Sequence, residues 1–134
     1  MKALEEKIMT EGRVLPGNIL NVGSFLNQQM DVELIMAMGR EIARLFDNCG
    51  VTRIMTIESS GIAVAVAVGA AMRLPVVFAK KHRSGNVSGD VYSAVVHSYT
   101  HGADYDVVLS KEYLGPDDCV LLVDDFLANG KALE

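Results

Sequence analysis

The feature that most constrains the fold of this chain is the uninterrupted apolar stretch Cys119–Val123, which reads CVLLV. A short stretch of this kind is typical of a strand buried on both faces of a parallel sheet. Parallel strands are joined by crossovers of about a dozen residues or more, usually helices, so strands and helices should alternate along the chain. We therefore expect an α/β fold with a mainly parallel sheet flanked by helices.

The segments that precede this stretch support the alternation. Thr52–Ile57 and Leu74–Ala79 are predicted strands, and Ile62–Met72 between them is apolar on all sides. The alternating Ala and Val residues of Ile62–Met72 also permit a strand. A helix is favoured because two parallel strands on either side of this segment require a crossover.

The remaining elements are predicted from local signals. Met1–Thr10 has the pattern of a short amphipathic helix that ends at Gly12. Asp31 is a candidate N-cap for a helix that Gly50 ends, with the irregular segment 13–30 before it. Tyr92–Ser98 and Asp106–Ser110 have strand patterns around a turn at His101–Gly102, which predicts a hairpin.

Composition and charge exclude several classes of protein. The chain has 134 residues, 50% hydrophobic, which suits one globular domain and excludes disorder. A formal net charge of −5 argues against wrapping nucleic acid. The uncharged apolar run Ser59–Met72 is too short to span a bilayer, and Met1–Glu11 lacks the apolar core of a secretory signal. With only two distant cysteines, we expect a cytoplasmic protein without membrane association.

The segment Val120–Ala132 (VLLVDDFLANGKA) is the strongest candidate for a functional site. Asp124 and Asp125 directly follow the predicted buried strand, and ligands of open α/β sheets bind at the carboxyl ends of strands. The small residues that follow would let backbone N–H groups approach a phosphate. Carboxylates that accept hydrogen bonds from a diol, beside such a loop, suit a ribose 5-phosphate. An ordinary strand end followed by a capped helix remains the alternative from the pattern alone.

Two further loops are expected at the same edge of the sheet. Glu58–Ala63 (ESSGIA) follows one predicted strand and could offer hydroxyl and amide groups to an anion, or be a plain capped turn. Lys80–Arg83 follows the next strand and is the densest basic cluster of the chain, although such clusters are often only solvated. His97 and His101 have no spacing that predicts a metal site.

With these motifs, the chain resembles the type I phosphoribosyltransferases, whose signature for phosphoribosyl pyrophosphate (PRPP) is a strand, an acidic pair and a small-residue phosphate loop. The resemblance is closest to the xanthine-using branch of this family. It extends over nearly the whole chain, through the segments SFLNQQ, TIESSGIA, PVVFAKKH and VDDFLANG. Ala128 and Asn129 depart from the Thr or Ser common in the family's phosphate loop, so more of the phosphate contacts would come from backbone amides.

The resemblance implies an activity and its ligands. The chain would transfer the phosphoribosyl group of PRPP to N9 of xanthine, with Mg²⁺ accompanying PRPP and no dedicated metal ligands in the protein. Guanine, hypoxanthine or adenine as the accepting base, a non-catalytic PRPP-binding regulator, and a module that keeps only the fold are the alternatives. The family also implies a homodimer.

The resemblance assigns site residues as well. Asp124 and Asp125 would be the catalytic acids that hold the ribose hydroxyls, and segment 84–90 the mobile loop that closes over PRPP. The other PRPP-binding residues would be Ser59, Ser60, Gly61, Lys81, Ala128, Asn129, Gly130, Lys131 and Ala132. Leu20 and Asn27 would contact the purine; both lie in the segment 13–30, which would form a hood over the base. Members of the family continue well beyond Glu134, so we expect residues 1–134 to be a single but truncated domain that lacks the C-terminal part of the fold.

Overall fold

The computed structural model describes residues 1–81, 89–98 and 103–126, without the side chains of residues 96–98 and 103–105. The predicted succession of strand, helix and strand is present over residues 53–79. The helices are α1 (Lys2–Glu11), α2 (Val32–Leu45) and α3 (Gly61–Met72), with one π-helical turn at Gly23–Asn27. The strands are β1 (Arg13–Leu15), β2 (Ile19–Asn21), β3 (Arg53–Ile57), β4 (Val76–Ala79), β5 (Val91–Ser98), β6 (Ala103–Ser110) and β7 (Val120–Leu122).

The central sheet is parallel and has the strand order β4-β3-β7. Ile54 lies beside Val76 on one side and beside Leu121 on the other. The register aligns the strands so that the loops after β3, β4 and β7 all leave from one edge, which we call the carboxyl edge. The sheet therefore brings the three predicted site loops to the same place.

Helix α3 lies between the sheet and α2, which explains its unusual composition. Val64, Ala65, Ala67 and Val68 are all buried in the main core, together with Ile54 of β3. Gly39 of α2 allows a close approach, because a Cβ atom there would overlap the Ala67 carbonyl. A helix that is apolar on all sides is expected where both of its flanks are covered. The helical prediction for this segment is confirmed.

The predicted hairpin is present as the antiparallel pair β5-β6, while the predicted turn at His101–Gly102 lies outside the described residues. A single bridge between Lys80 and Val108 joins this hairpin to the end of β4. Ala79, Val107 and Leu109 form a second, smaller core on that side. The hairpin thus extends the architecture beyond the parallel sheet.

The segment 13–30 is more regular than predicted. β1 and β2 form an antiparallel hairpin whose turn uses Gly17 and Asn18, both with positive φ. The π-helical turn follows and buries Phe25 and Leu26 in the main core. The strands and the turn have only three to five residues each, too few for a hydrophobic period to appear in the sequence.

The end of α2 differs from the prediction. α2 ends at Leu45 and not at Gly50, because residues 46–49 form a turn in which the Cys49 N–H donates to the Phe46 carbonyl. Gly50, with φ of 67°, instead turns the chain toward β3. The Asp31 N-cap is confirmed by its hydrogen bond from the Leu34 N–H, 3.1 Å.

The apolar stretch before the acidic pair forms strand β7, but its burial on both faces was predicted wrongly. Cys119 and Val120 are exposed, whereas Leu121 and Val123 are buried against the main core. Within the described residues, β7 pairs only with β3, so one of its sides has no neighbouring strand. In the part of the chain that is described, no helix has the length and apolar character needed to cross a bilayer.

Candidate functional site

The site is built where the loops after β3, β4 and β7 meet at the carboxyl edge. The Glu58 N–H donates to the Ala79 carbonyl over 3.0 Å, and the Val123 N–H donates to the Met55 carbonyl over 2.8 Å. These bonds continue the sheet ladder to the point where the three loops begin. The loops therefore start from a rigid base.

The two predicted catalytic acids are joined to the loop after β3. The Asp125 N–H donates to Asp124 Oδ1 over 2.9 Å, which holds the Asp124 carboxylate against the backbone of its neighbour. The Ser60 hydroxyl donates to Asp125 Oδ1 over 3.0 Å, although the two residues are 65 positions apart. The fold thus brings a predicted pyrophosphate-loop residue into contact with a predicted ribose-binding residue.

Gly61 lets the start of α3 approach the acidic pair closely. A Cβ atom at this position would lie 2.8 Å from Asp124 Oδ1 and would overlap Thr56 Oγ1. Thr56 is itself fully buried in β3. Any larger residue would therefore push α3 away from Asp124.

Lys81 is held through its backbone. Its N–H donates to Glu58 Oε1 over 2.8 Å, whereas the preceding residue, Lys80, pairs with Val108 through two hydrogen bonds of 2.8 Å. Consecutive N–H groups of an extended chain point to opposite sides. Lys81 is consequently fixed between the end of β3 on one side and β6 on the other.

The electrostatics of Asp124 reflect its surroundings. Burial raises the pKa of the Asp124 carboxyl above its ordinary value, and the neighbouring Asp125 raises it further. The hydrogen bond from the Asp125 N–H and the positive charge of Lys81 act in the opposite direction on the same pKa. Burial and the neighbouring carboxylate thus outweigh the stabilisation that the Asp125 N–H and Lys81 give to the charged form of Asp124.

The other predicted site residues have varied placements. Ser59 is exposed and follows a cis peptide bond with Glu58. Leu20 is half-buried and packs against the main core, and Asn27 is exposed at the end of the π-helical turn. Predicted contacts at Ala128, Asn129, Gly130, Lys131 and Ala132 lie outside the described residues, as do residues 84–88 of the predicted mobile loop.

Two cavities lie away from the carboxyl edge. One of about 420 Å³ lies between β4 and β6 and is lined by Phe78, Val108 and Tyr113, among others. Another of about 670 Å³ lies at the opposite end of the sheet, between the ends of α2 and α3. None of the predicted site residues lines either cavity. At the carboxyl edge, the described residues form a site of converging side chains.

The described residues do not assemble three or more His, Cys, Asp or Glu side chains in a group that could hold a metal ion. The carboxylates of Asp124 and Asp125 are nevertheless hard oxygen donors of the kind that Mg²⁺ accepts. Mg²⁺ commonly keeps several waters and binds through one or two carboxylates and substrate phosphates. The donor set at the carboxyl edge fits that mode of binding.

Comparison with known proteins identifies the family. The xanthine phosphoribosyltransferase of Lactiplantibacillus plantarum is 54% identical over 134 residues, which cover 100% of this chain and 69% of that protein. The chain belongs to the xanthine phosphoribosyltransferase family. The Listeria monocytogenes xanthine phosphoribosyltransferase is 51% identical over 98% of the chain and 69% of its own length. No family model matches the chain.

Solved structures of the wider phosphoribosyltransferase family share the fold. The Giardia lamblia adenine enzyme, in complex with 9-deazaadenine, has a TM-score of 0.75 at 24% identity, over 93% of this chain and 69% of its own. The enzyme from Rhodothermus marinus has a TM-score of 0.73 at 18% identity, over 100% of this chain and 76% of its own. The predicted α/β fold, family and class of enzyme are confirmed. The chain spans about 70% of the length of its curated relatives.

Two residues of the site were not predicted from the sequence. Glu58 was included in the segment ESSGIA without a role, and Thr56 was considered only as part of a strand. Glu58 occupies the first position after a predicted parallel strand, which is a signal for a site residue in this class of sheet. The packing of Thr56 against Gly61 depends on the path of α3 and has no signal in the sequence.

Proposed function

We propose that the chain transfers the 5-phosphoribosyl group of PRPP to N9 of xanthine, which yields xanthosine 5′-monophosphate and pyrophosphate. The bond from C1 of the ribose to the pyrophosphate oxygen breaks, a bond from C1 to N9 forms, and N9 loses its proton. The observation that carries the proposal is the contact of Ser60 with Asp125 at the carboxyl edge, where the loop after β4 also begins. The proposal also rests on relatives named xanthine phosphoribosyltransferase at 50–54% identity.

Asp124 and Asp125 accept hydrogen bonds from the ribose hydroxyls in this proposal. The Asp125 N–H holds the Asp124 carboxylate and the Ser60 hydroxyl holds that of Asp125, so both are oriented before two adjacent ribose hydroxyls bind. The 5-phosphate is bound by backbone amides of residues 128–132, the segment that follows the acidic pair. Holding the ribose at both ends orients C1 toward the incoming base, and such positioning accounts for much of the rate of transfer reactions.

The pyrophosphate is held by the loops after β3 and β4. Ser59, Ser60 and Gly61 offer hydroxyl and amide donors at the start of α3, where the helix dipole favours negative charge. Lys81 contributes a positive charge on the facing loop. Negative charge grows on the pyrophosphate as the C1–O bond breaks, so donors placed there stabilise the transition state.

Xanthine is recognised by the hood, the segment 13–30, which we propose as a subdomain of a single domain over residues 1–134. Leu20 contributes apolar surface for the flat base, and Asn27 offers both a donor and an acceptor to an oxo-purine. The exposure of Asn27 supports a role in ligand contact, whereas the packing of Leu20 on the core gives the hood a fixed base.

Mg²⁺ is proposed to enter the site with PRPP. When it is bound, it neutralises phosphate charge and so favours departure of the pyrophosphate. Asp124 and Asp125 are the described residues that could approach it through water or directly. We further propose a homodimer that acts in the cytoplasm, and segment 84–90 as a lid over PRPP; these follow from the family alone.

The proposal is tested by incubating the chain with PRPP, Mg²⁺ and each of xanthine, guanine, hypoxanthine and adenine. We expect nucleotide and pyrophosphate to form in equal amounts, fastest with xanthine. The Asp124→Ala/Asp125→Ala double variant is the matched control and should lose activity. A preference for adenine, or undiminished turnover by the double variant, contradicts the proposal.

A further inference from the structure

Glu58 has a placement at the carboxyl edge that the proposed function does not use. Its backbone N–H continues the ladder to Ala79, and its side chain then reaches past that residue to the Lys81 N–H. A single residue therefore holds the chain on both sides of Lys80. Strand β3 ends at Ile57, so its backbone supplies no carbonyl to the Lys81 N–H. The half-buried Glu58 carboxylate accepts that hydrogen bond in its place.

From these two hydrogen bonds we infer that Glu58 is a positioning residue for Lys81, and that it acts through the Lys81 backbone. Lys80 is already held on the opposite side by Val108, so the Glu58 bond restrains the next peptide unit as well. With both peptide units restrained, the Lys81 side chain leaves the backbone in a defined direction. The inference rests on the proposed function for its consequence, since Lys81 is there the cation that binds pyrophosphate.

The positive charge of Lys81 acts to lower the pKa of the Asp124 carboxyl, so the position of Lys81 bears on the electrostatics of the acidic pair. Glu58 itself is acidic and would repel a pyrophosphate that it contacted directly. Its useful chemistry at this place is hence that of a hydrogen-bond acceptor. A neutral acceptor of the same shape should serve almost as well, and this separates positioning from a role of the charge.

The experiment compares Glu58→Gln, which keeps the acceptor oxygen, with Glu58→Ala, which removes it. Both variants lack the negative charge, so any difference between them reports the hydrogen bond alone. The first measurement is the hydrogen-exchange protection of the Lys81 amide in the chain without ligand. We expect protection to persist in Glu58→Gln and to fall about tenfold or more in Glu58→Ala.

The second measurement is the affinity for pyrophosphate with Mg²⁺ by calorimetry. Glu58→Ala should bind about tenfold more weakly than Glu58→Gln. Lys81→Ala should weaken binding similarly, and the Glu58→Ala/Lys81→Ala double variant should add little, because both changes remove one interaction. Glu6→Ala, an exposed glutamate of α1, is the matched control and should bind like the unmodified chain.

Several results would overturn the inference. Equal amide protection in Glu58→Gln and Glu58→Ala would show that the hydrogen bond does not hold Lys81. Equal loss of affinity in both variants would assign the effect to the charge of Glu58, and additive loss with Lys81→Ala would show that Glu58 acts independently of Lys81. An unmodified chain that binds no pyrophosphate would refute the proposed pyrophosphate site, while amide protection would still decide whether Glu58 positions the Lys81 backbone.

Discussion

Strand β7 has an aspartate near each end, and the two differ in how their charge is compensated. Asp118, before the strand, accepts the Thr52 hydroxyl at 2.8 Å and the Gly115 N–H at 2.9 Å, and pairs with Arg53 at 3.3 Å. Asp124, after the strand, accepts the N–H of its neighbour and lies beside a second carboxylate.

The pKa values of the two carboxyls shift in opposite directions for this reason. The Gly115 N–H, with Thr52 and Arg53, lowers the pKa of Asp118 below its ordinary value near 3.8. Burial and Asp125 raise the pKa of Asp124 above the same value. The amino end of the strand thus contains a carboxylate whose hydrogen bonds and ion pair favour its charged form and stabilise the fold. The carboxyl end retains a charge that a ligand can compensate, as expected of functional sites.

The largest expected effect comes from removing the charge of Asp124, at the carboxyl end of β7. Asp124→Asn keeps an acceptor for the Asp125 N–H but removes the charge, so PRPP affinity should fall about tenfold to a hundredfold. The melting temperature should stay the same or rise, because a buried like-charge neighbour is lost. Calorimetry and thermal denaturation measure the two effects.

Asp118→Asn is the control for this comparison and should behave in the opposite way. It should lower the melting temperature and leave PRPP affinity unchanged, because its partners lie at the other end of β7. A fall in PRPP affinity in both variants, with similar melting temperatures, would remove the distinction between the two ends.

The next effect concerns the close approach at Gly61. Gly61→Ala places a methyl group against Asp124 and Thr56, so we expect a loss of about 1–3 kcal/mol in the free energy of unfolding. Urea denaturation measures it. Gly115→Ala is the control, since a Cβ there would meet only Asp118 Oδ2 at 3.8 Å. Equal stability of the two variants would show that α3 is not tightly packed against the acidic pair.

The pH dependence of stability should separate the two aspartates. The contribution of Asp118 is present above its ordinary pKa and is lost as the pH falls through its lowered folded pKa. Asp124 behaves oppositely, because its ionisation destabilises the fold as the pH rises from the ordinary value through the raised folded pKa. Urea midpoints measured across the acid range should therefore show that the stability of Asp124→Asn increases relative to that of the unmodified chain as the pH rises. Asp118→Asn should be less stable than the unmodified chain, and this difference should disappear only at strongly acid pH.

The smallest expected effect is that of the Ser60 hydroxyl. Ser60→Ala removes one hydrogen bond to Asp125, and we expect PRPP affinity to fall a few-fold at most. Titration by calorimetry measures this change, with Ser93→Ala on the exposed face of β5 as the control. An improved affinity would mean that Ser60 competes with the ribose for Asp125.

Much of the fold could be predicted because its signals are local. The N-cap at Asp31, the helical crossover after Glu58 and the hairpin of β5 and β6 each depend on neighbouring residues. The hairpin of β1 and β2 was missed because its strands have three residues each, too few for a period to show. The prediction that β7 is buried on both faces was wrong. Burial depends on the elements that surround a strand, and the apolar composition of the stretch does not determine it.

The amino-acid sequence by itself determined which residues stand at the ends of the parallel strands. It placed Asp124 and Asp125 after one strand and Lys81 after another, and it carried the resemblance that identifies the family. The tertiary structure alone decided which of them touch. Ser60 meets Asp125 across 65 positions, and Glu58 meets Lys81 across 23, because the parallel register of the sheet brings its loops to one edge. Contacts between distant residues follow from that register, and no local pattern encodes them.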